Sequence, residues 1–157
     1  ATANEFRRMT GRTLRIVTTL SDADLGRMAL RGDEAIINLG PVPVSFCPPL
    51  YLKTDGLFFP SLLETFSSAP IEAQFMGRPV ICSNAACIAD TVGAHAQYFD
   101  AFDPHSAAAA VVCAILNLNR RADLVAGGLI DSQQRPDAFA RAQRILEIVV
   151  DAATCPR

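Results

Sequence analysis

Two glutamates eight positions apart, Glu64 and Glu72, are the residues whose type and spacing could do chemistry. Between them runs Thr65-Phe66-Ser67-Ser68-Ala69-Pro70-Ile71, a short, small and hydroxyl-rich segment. Glu64 is expected in a loop and Glu72 in the first turn of a helix. Such a loop delivers free backbone N–H groups at a helix N-terminus, which suits an anionic diphosphate. Carboxylates on either side can accept hydrogen bonds from sugar hydroxyls. One anion-binding element flanked by two hydroxyl acceptors matches what a nucleotide-sugar presents. The spacing leaves a structural alternative open. With Pro70 as the first helical residue, Glu72 falls third, where a glutamate commonly serves the helix dipole or a cap. Glu64 alone could be a solvated loop residue.

The elements that must position these groups alternate along the chain. Leu14 to Leu20 is a β-branched run and reads as a strand. Ser21 and Asp22 cap a helix over Asp22 to Leu30, closed by Gly32. Ala35 to Leu39 is a second strand, stopped at Gly40-Pro41. Pro48 to Thr54 forms a short helix with proline in its first turn. Gly56 to Phe59 is a third strand, apolar enough to be covered on both faces. Pro70 to Met76 is a helix, Pro79 to Cys82 a strand, Ala85 to Thr91 a short helix or turn, and Gln97 to Phe99 a fifth strand. Asp103-Pro104 starts a helix that runs to about Leu116. A further helix over Arg120 to Ala126 stops at Gly127-Gly128. The last helix starts near Pro136. There Phe139, Ala142, Ile145, Leu146 and Val149 make one apolar stripe, read as core packing or docking against another domain. Alternating strands and helices predict an α/β fold, a Rossmann-like parallel sheet with helices on both faces. Ligands of such sheets bind beyond the carboxyl ends of the strands, here the loops after Leu39, Phe59 and Cys82.

Composition bounds the alternatives. At 157 residues the chain suffices for one domain, 1–157, with 136–157 as its C-terminal helix. Half of it is apolar and 19% charged, which excludes disorder. Arg7, Arg8, Arg12 and Arg15 crowd the N-terminus, but no basic stripe continues, so nucleic acid is not an expected partner. The five cysteines, Cys47, Cys82, Cys87, Cys113 and Cys155, contain no Cys-x-x-Cys pair, and Cys82, Cys87 and Cys113 read as buried reduced thiols. His95 and His105 are the only histidines and read as surface or packing residues without partners, so neither a metal nor another cofactor is expected. No run of about 18 apolar residues predicts a transmembrane helix. Ala1 to Arg12 reads as the tail of a helix ended by Gly11, and the chain as a piece of something longer. Ala- and Arg-rich usage points to a GC-rich bacterial genome.

Leu57-Phe58-Phe59-Pro60-Ser61, then Glu64 to Glu72-Ala73, then Gly77-Arg78-Pro79-Val80-Ile81 resembles the signature of the group 1 (family 4-like) glycosyltransferases. Asp90 to Gly93 and Tyr98 to Pro104 resemble that family's next segments, so the likeness covers about Leu14 to Leu116. It implies the donor-binding half of a two-domain GT-B enzyme, which transfers a sugar from a nucleotide-sugar to a saccharide or lipid-linked acceptor, with retention. It implies Glu64 as the catalytic carboxylate at the donor sugar and Glu72 at the ribose hydroxyls. Phe66, Ser67 and Ser68 would meet the sugar and diphosphate mainly through backbone N–H groups, with Ser61 and Thr65 in the same donor-binding set. Gly40-Pro41-Val42 would touch the base edge. The implied place is the cytoplasm or the inner membrane face.

The family often has glycine where Thr65 and Ser67 stand. Its first, central strand, with a basic pair for the diphosphate, has no counterpart here, which leaves a gap beside the third strand and room for self-association. Its acceptor domain is also absent. The expectation is therefore weak nucleotide binding and no turnover by this chain alone. Two rival readings are a non-catalytic nucleotide-binding module and an interaction domain that uses the terminal helix.

Overall fold

The computed structural model describes residues 1–136 and 138–154. Strands and helices alternate. β1 (Ile16–Thr18) is followed by α2 (Asp22–Arg27), and α1 (Thr2–Thr10) precedes it. β2 (Ile36–Asn38) leads through a 3₁₀ turn at Val44–Phe46 into α3 (Cys47–Lys53). Then come β3 (Leu57–Phe59), α4 (Ser68–Phe75), β4 (Val80–Ser83), α5 (Ala86–Val92) and β5 (Gln97–Phe99). α6 (Pro104–Val111) continues as a π-helical stretch over Val112–Leu116, before α7 (Leu118–Gln133) and α8 (Ala138–Thr154).

All described strand pairs are parallel. β1 pairs with β2, and β3, β4 and β5 pair in that order, with Phe58 opposite Ile81 and Cys82 opposite Tyr98. Parallel neighbours need crossover connections, and helices supply them here. β4 is central and buried along its whole length. Its side chains alternate between faces. Ile81 joins Phe6, Phe99, Val111 and Leu124 under α1, α6 and α7, with Phe58 packed against them. Phe58 and Phe99 stack with ring centroids 5.0 Å apart. Val80 and Cys82 join Ala73, Ile88 and Val92 on the other face, with Tyr51, Leu57 and Phe59 against that cluster. The expected α/β, Rossmann-like half domain is what the chain forms.

The strands fall into two separate sheets, β1-β2 and β3-β4-β5. A cavity of about 530 Å³ separates β1 from β3 and is lined by Phe6, Ile16, Val17, Phe58, Ile81 and Ile115 among others. The gap thus lies beside the third strand, where the sequence puts it.

Local signals explain most boundaries. Gly11 ends α1 at φ +70°, its N–H donating to the Arg7 carbonyl. The Ser21 hydroxyl accepts the Asp24 N–H at the start of α2. Asp103 does the same for the His105 N–H, and Pro104 follows it at the first helical position.

Four expectations need correction. α7 runs straight through Gly127-Gly128. These glycines serve close packing, since a Cβ on Gly127 would stand 2.0 Å from the His95 ring and one on Gly128 3.0 Å from Gln74 Cγ. The histidines do have partners: His95 Nδ1 lies 2.6 Å from Asp131 Oδ2, and His105 Nδ1 lies 3.5 Å from Glu5 Oε2. The apolar residues of α8 are not core, because Phe139, Ile145, Leu146 and Val149 are all exposed. Of the cysteines, Cys82 is buried but Cys87 and Cys113 are only half-buried, and Cys155 lies outside the described residues.

Candidate functional site

The carboxyl end of β3 hands the chain to Pro60-Ser61. Ser83, buried at the end of the neighbouring β4, donates its hydroxyl to the Ser61 carbonyl. That bond fixes where the loop leaves the sheet. The Ser61 hydroxyl in turn donates to Glu64 Oε1 at 2.8 Å. Glu64 is therefore half-buried and held, not a free solvated loop residue. Thr65 and Phe66 are exposed beyond it. The Phe66 ring lies 5.7 Å from the guanidinium carbon of Arg141, which brings α8 to the loop in a cation–π arrangement.

Ser67 precedes α4 at φ −116°, ψ 122°, and its side chain makes no capping bond. The first-turn N–H groups of α4, including that of Ser68, therefore lack a serine cap and point out of a helix N-terminus, where the dipole favours anions. Among the described residues the only non-glycine with positive φ is Ala29. Thr65 and Ser67 thus take ordinary backbone angles, and the loop is built without the left-handed turns that glycine would permit.

α4 starts two residues earlier than its proline indicates. Pro70 is its third residue, where a missing N–H costs nothing because the helix has no acceptor for it. Glu72 is accordingly fifth, and the first turn of α4 contains no acidic residue. The expectation of Glu72 in the first turn is corrected, and the capping and dipole role that depends on that position falls with it, since both act within the first turn. What Glu72 has instead is a partner from another helix. The Tyr51 hydroxyl of α3 donates to Glu72 Oε2 at 3.1 Å and approaches the Ala69 carbonyl at 3.3 Å. Burial, and then the nearby Glu72 carboxylate, push the Tyr51 phenol well above its ordinary range, so it remains a donor. Sequence reasoning missed Tyr51. Nothing local ties it to a glutamate 21 residues on; only the packing of Tyr51 of α3 and Ala73 of α4 in one cluster does.

At the carboxyl end of β2, Gly40 turns the chain at φ +73°. Leu39, Val42, Phe46, Pro49 and Leu50 then line an apolar depression of about 290 Å³ that also takes in Lys53. Just before Leu39, Asn38 ties the end of β2 to the end of β1: its amide oxygen accepts from the Thr18 hydroxyl and the Leu20 N–H, and its Nδ2 donates to the Leu20 carbonyl. α3 borders this depression through Leu50 and reaches Glu72 through the next residue, Tyr51. The candidate residues therefore fall into two groups linked by α3: Gly40 and Val42 at the β2 end, and Ser61, Glu64, Thr65, Phe66, Ser67, Ser68 and Glu72 around the start of α4. Among the described residues no three His, Cys, Asp or Glu side chains gather closely enough to hold a metal ion.

Comparison with known proteins gives the family. Residues 3–117 match the family described as Glycosyl transferases group 1. The chain belongs to the group 1 glycosyl transferases. It is 30% identical over 96 residues to the O-antigen chain mannosyltransferase B of Escherichia coli, a stretch that is 61% of this chain and 25% of that protein. The chain thus spans about a quarter of that relative's length. Both residue groups lie inside the part that matches the group 1 glycosyl transferases, and α8 lies beyond it. No helix among the described residues is long and apolar enough to cross a membrane.

Proposed function

We propose that this group 1 glycosyl transferase chain is a donor half, which holds a nucleoside diphosphate sugar for transfer to a saccharide or lipid-linked acceptor. One observation carries the reading: the uncapped N-terminus of α4 lies between two carboxylates, Glu64 and Glu72, each held by a neighbour's hydroxyl. The diphosphate lies at the α4 N–H groups of the Ser67-Ser68 segment, with Thr65 and Phe66 at its sugar end. Glu72 accepts from the ribose hydroxyls. The base rests in the apolar depression at Gly40 and Val42. Glu64 orients the sugar and opposes the positive charge that develops at the anomeric carbon.

In the reaction, the bond from the anomeric carbon to the diphosphate oxygen breaks and an acceptor hydroxyl forms the new bond on the same face. Its proton leaves with the diphosphate. The helix dipole stabilises the departing anion, and the step needs no metal. The relative's name puts mannosyl donors first among those to test. Acceptor groups come from another domain, so this chain binds donor and turns nothing over. A thermal-shift panel of UDP, GDP and their sugars tests the reading: a shift with at least one nucleoside diphosphate is expected, and none with any of them would leave the interaction-domain alternative standing.

A further inference from the structure

We infer that Tyr51 is a positioning residue of the donor site, fixing the Glu72 carboxylate in the rotamer that receives the ribose. The inference rests on the donor-site reading above and adds a residue to it. Glu72 is exposed, and an exposed glutamate side chain has three soft torsions. Fixing them at the moment of binding costs affinity unless something fixes them beforehand. The Tyr51 hydroxyl does this at 3.1 Å from Oε2. A carboxylate has about four acceptor positions. Tyr51 occupies one, so Oε1 and a remaining position on Oε2 stay open for two adjacent hydroxyls.

The placement of Tyr51 is itself rigid. Its ring packs against the buried cluster of Val80, Cys82 and Ile88. The end of α3 that carries Tyr51 is tied down where Arg78 Nη2 donates to the carbonyl of the next residue, Leu52, at 2.8 Å. The Ala69 carbonyl lies 3.3 Å from the same hydroxyl, farther than the Glu72 carboxylate that takes its one proton. α3 also carries Leu50, a wall of the apolar depression. One helix thus sets both where a base would rest and where the ribose acceptor points.

The test compares the unaltered chain, Tyr51→Phe and Glu72→Gln by NMR titration with UDP, GDP and their 2′,3′-dideoxy analogues. Tyr51→Phe keeps the ring and removes the donor. It is expected to weaken UDP or GDP binding roughly threefold to tenfold and leave the dideoxy analogues unchanged. Glu72→Gln is expected to abolish the preference for ribose over dideoxyribose. If Glu72→Gln abolishes that preference and Tyr51→Phe retains it in full, the positioning role is wrong while the donor site stands. If the unaltered chain shows no such preference, or binds none of these probes, the Glu72 reading fails and takes the Tyr51 role with it. Should Tyr51→Phe not fold, 3-fluorotyrosine incorporated at the chain's two tyrosines gives a second readout. The Tyr51 fluorine resonance, assigned by Tyr98→Phe, must move on titration with UDP or GDP but not with their dideoxy analogues; an unmoved resonance at saturation overturns the inference.

Discussion

The Tyr51 hydroxyl and the Glu72 carboxylate meet at 3.1 Å across the space between α3 and α4. A structural glutamate at a helix start would interact with its own helix. Glu72 is held from outside it, two residues too far along for capping. Glu72→Ala should therefore leave stability nearly unchanged, within about 0.5 kcal/mol as for ordinary surface positions. Nucleoside diphosphate affinity should fall by roughly tenfold. Calorimetry with UDP and GDP, paired with a thermal melt, separates the two effects, and unchanged binding would remove Glu72 from the ribose.

Ser61 stands to Glu64 as Tyr51 does to Glu72, through a bond of 2.8 Å. Ser61→Ala should weaken binding of the nucleoside diphosphate sugar roughly threefold to tenfold, and hardly affect binding of the bare nucleoside diphosphate. Equal losses for both ligands would mean that Ser61 shapes the loop as a whole and that Glu64 does not meet the sugar.

Gly127 and Gly128 give a pair of packing predictions. Alanine at position 127 drives a methyl into the His95 ring, at a cost of about 1–3 kcal/mol for overpacking. The helix propensity gained offsets this by at most about 1 kcal/mol. Gly128→Ala meets only a Gln74 methylene at 3.0 Å and should cost less. Urea denaturation ranks the two; a Gly127→Ala chain as stable as the original contradicts the close approach.

Cys82 makes stability depend on alkaline pH. Burial pushes its thiol up to about 12 in the folded chain, from an ordinary value of 9.0. As pH rises past about 9, the unfolded chain loses this proton first, so the contribution is complete below that pH and declines above it. The slope approaches at most about 1.4 kcal/mol per pH unit. Tyr98, also pushed up to about 12 from 10.0, adds to the decline only at higher pH. Chemical denaturation between pH 8 and 10 should show a flatter profile for Cys82→Ala than for the original chain.

How far the sequence could be read depends on whether the signal was local. The strands, the Ser21 and Asp103 caps and the Gly11 helix end are each written in neighbouring residues, and they came out within a few positions. The order of motifs from Leu57 to Ile81 was enough to indicate the family. Contacts between distant elements were not legible. Gly127-Gly128 looks like a helix stop unless one knows that His95 and Gln74 press against it. The helical period of α8 marks an apolar face, but periodicity does not say whether anything covers that face. In the candidate site, both glutamates were visible as types at a spacing. Their hydroxyl partners were half visible: Ser61 lies three residues from Glu64, while Tyr51 lies on another helix.

The uneven burial of the two strand groups also predicts the order in which this chain opens. From Gly11 to Phe46 the one buried side chain is Leu25, and β1 and β2 are half-buried throughout. β4, by contrast, is buried at every residue and flanked by a strand on each side. With so little buried side chain, β1, α2 and β2 are expected to open as a unit of low local stability. Their amides should exchange with solvent well before those of Val80 to Ser83, at a free energy below that of global unfolding. The depression lies between this early-opening unit, through Leu39 and Val42, and α3, while the two carboxylates belong to the late one. A ligand that spans both would be seen in exchange as protection spreading from residues 57–83 into residues 16–42.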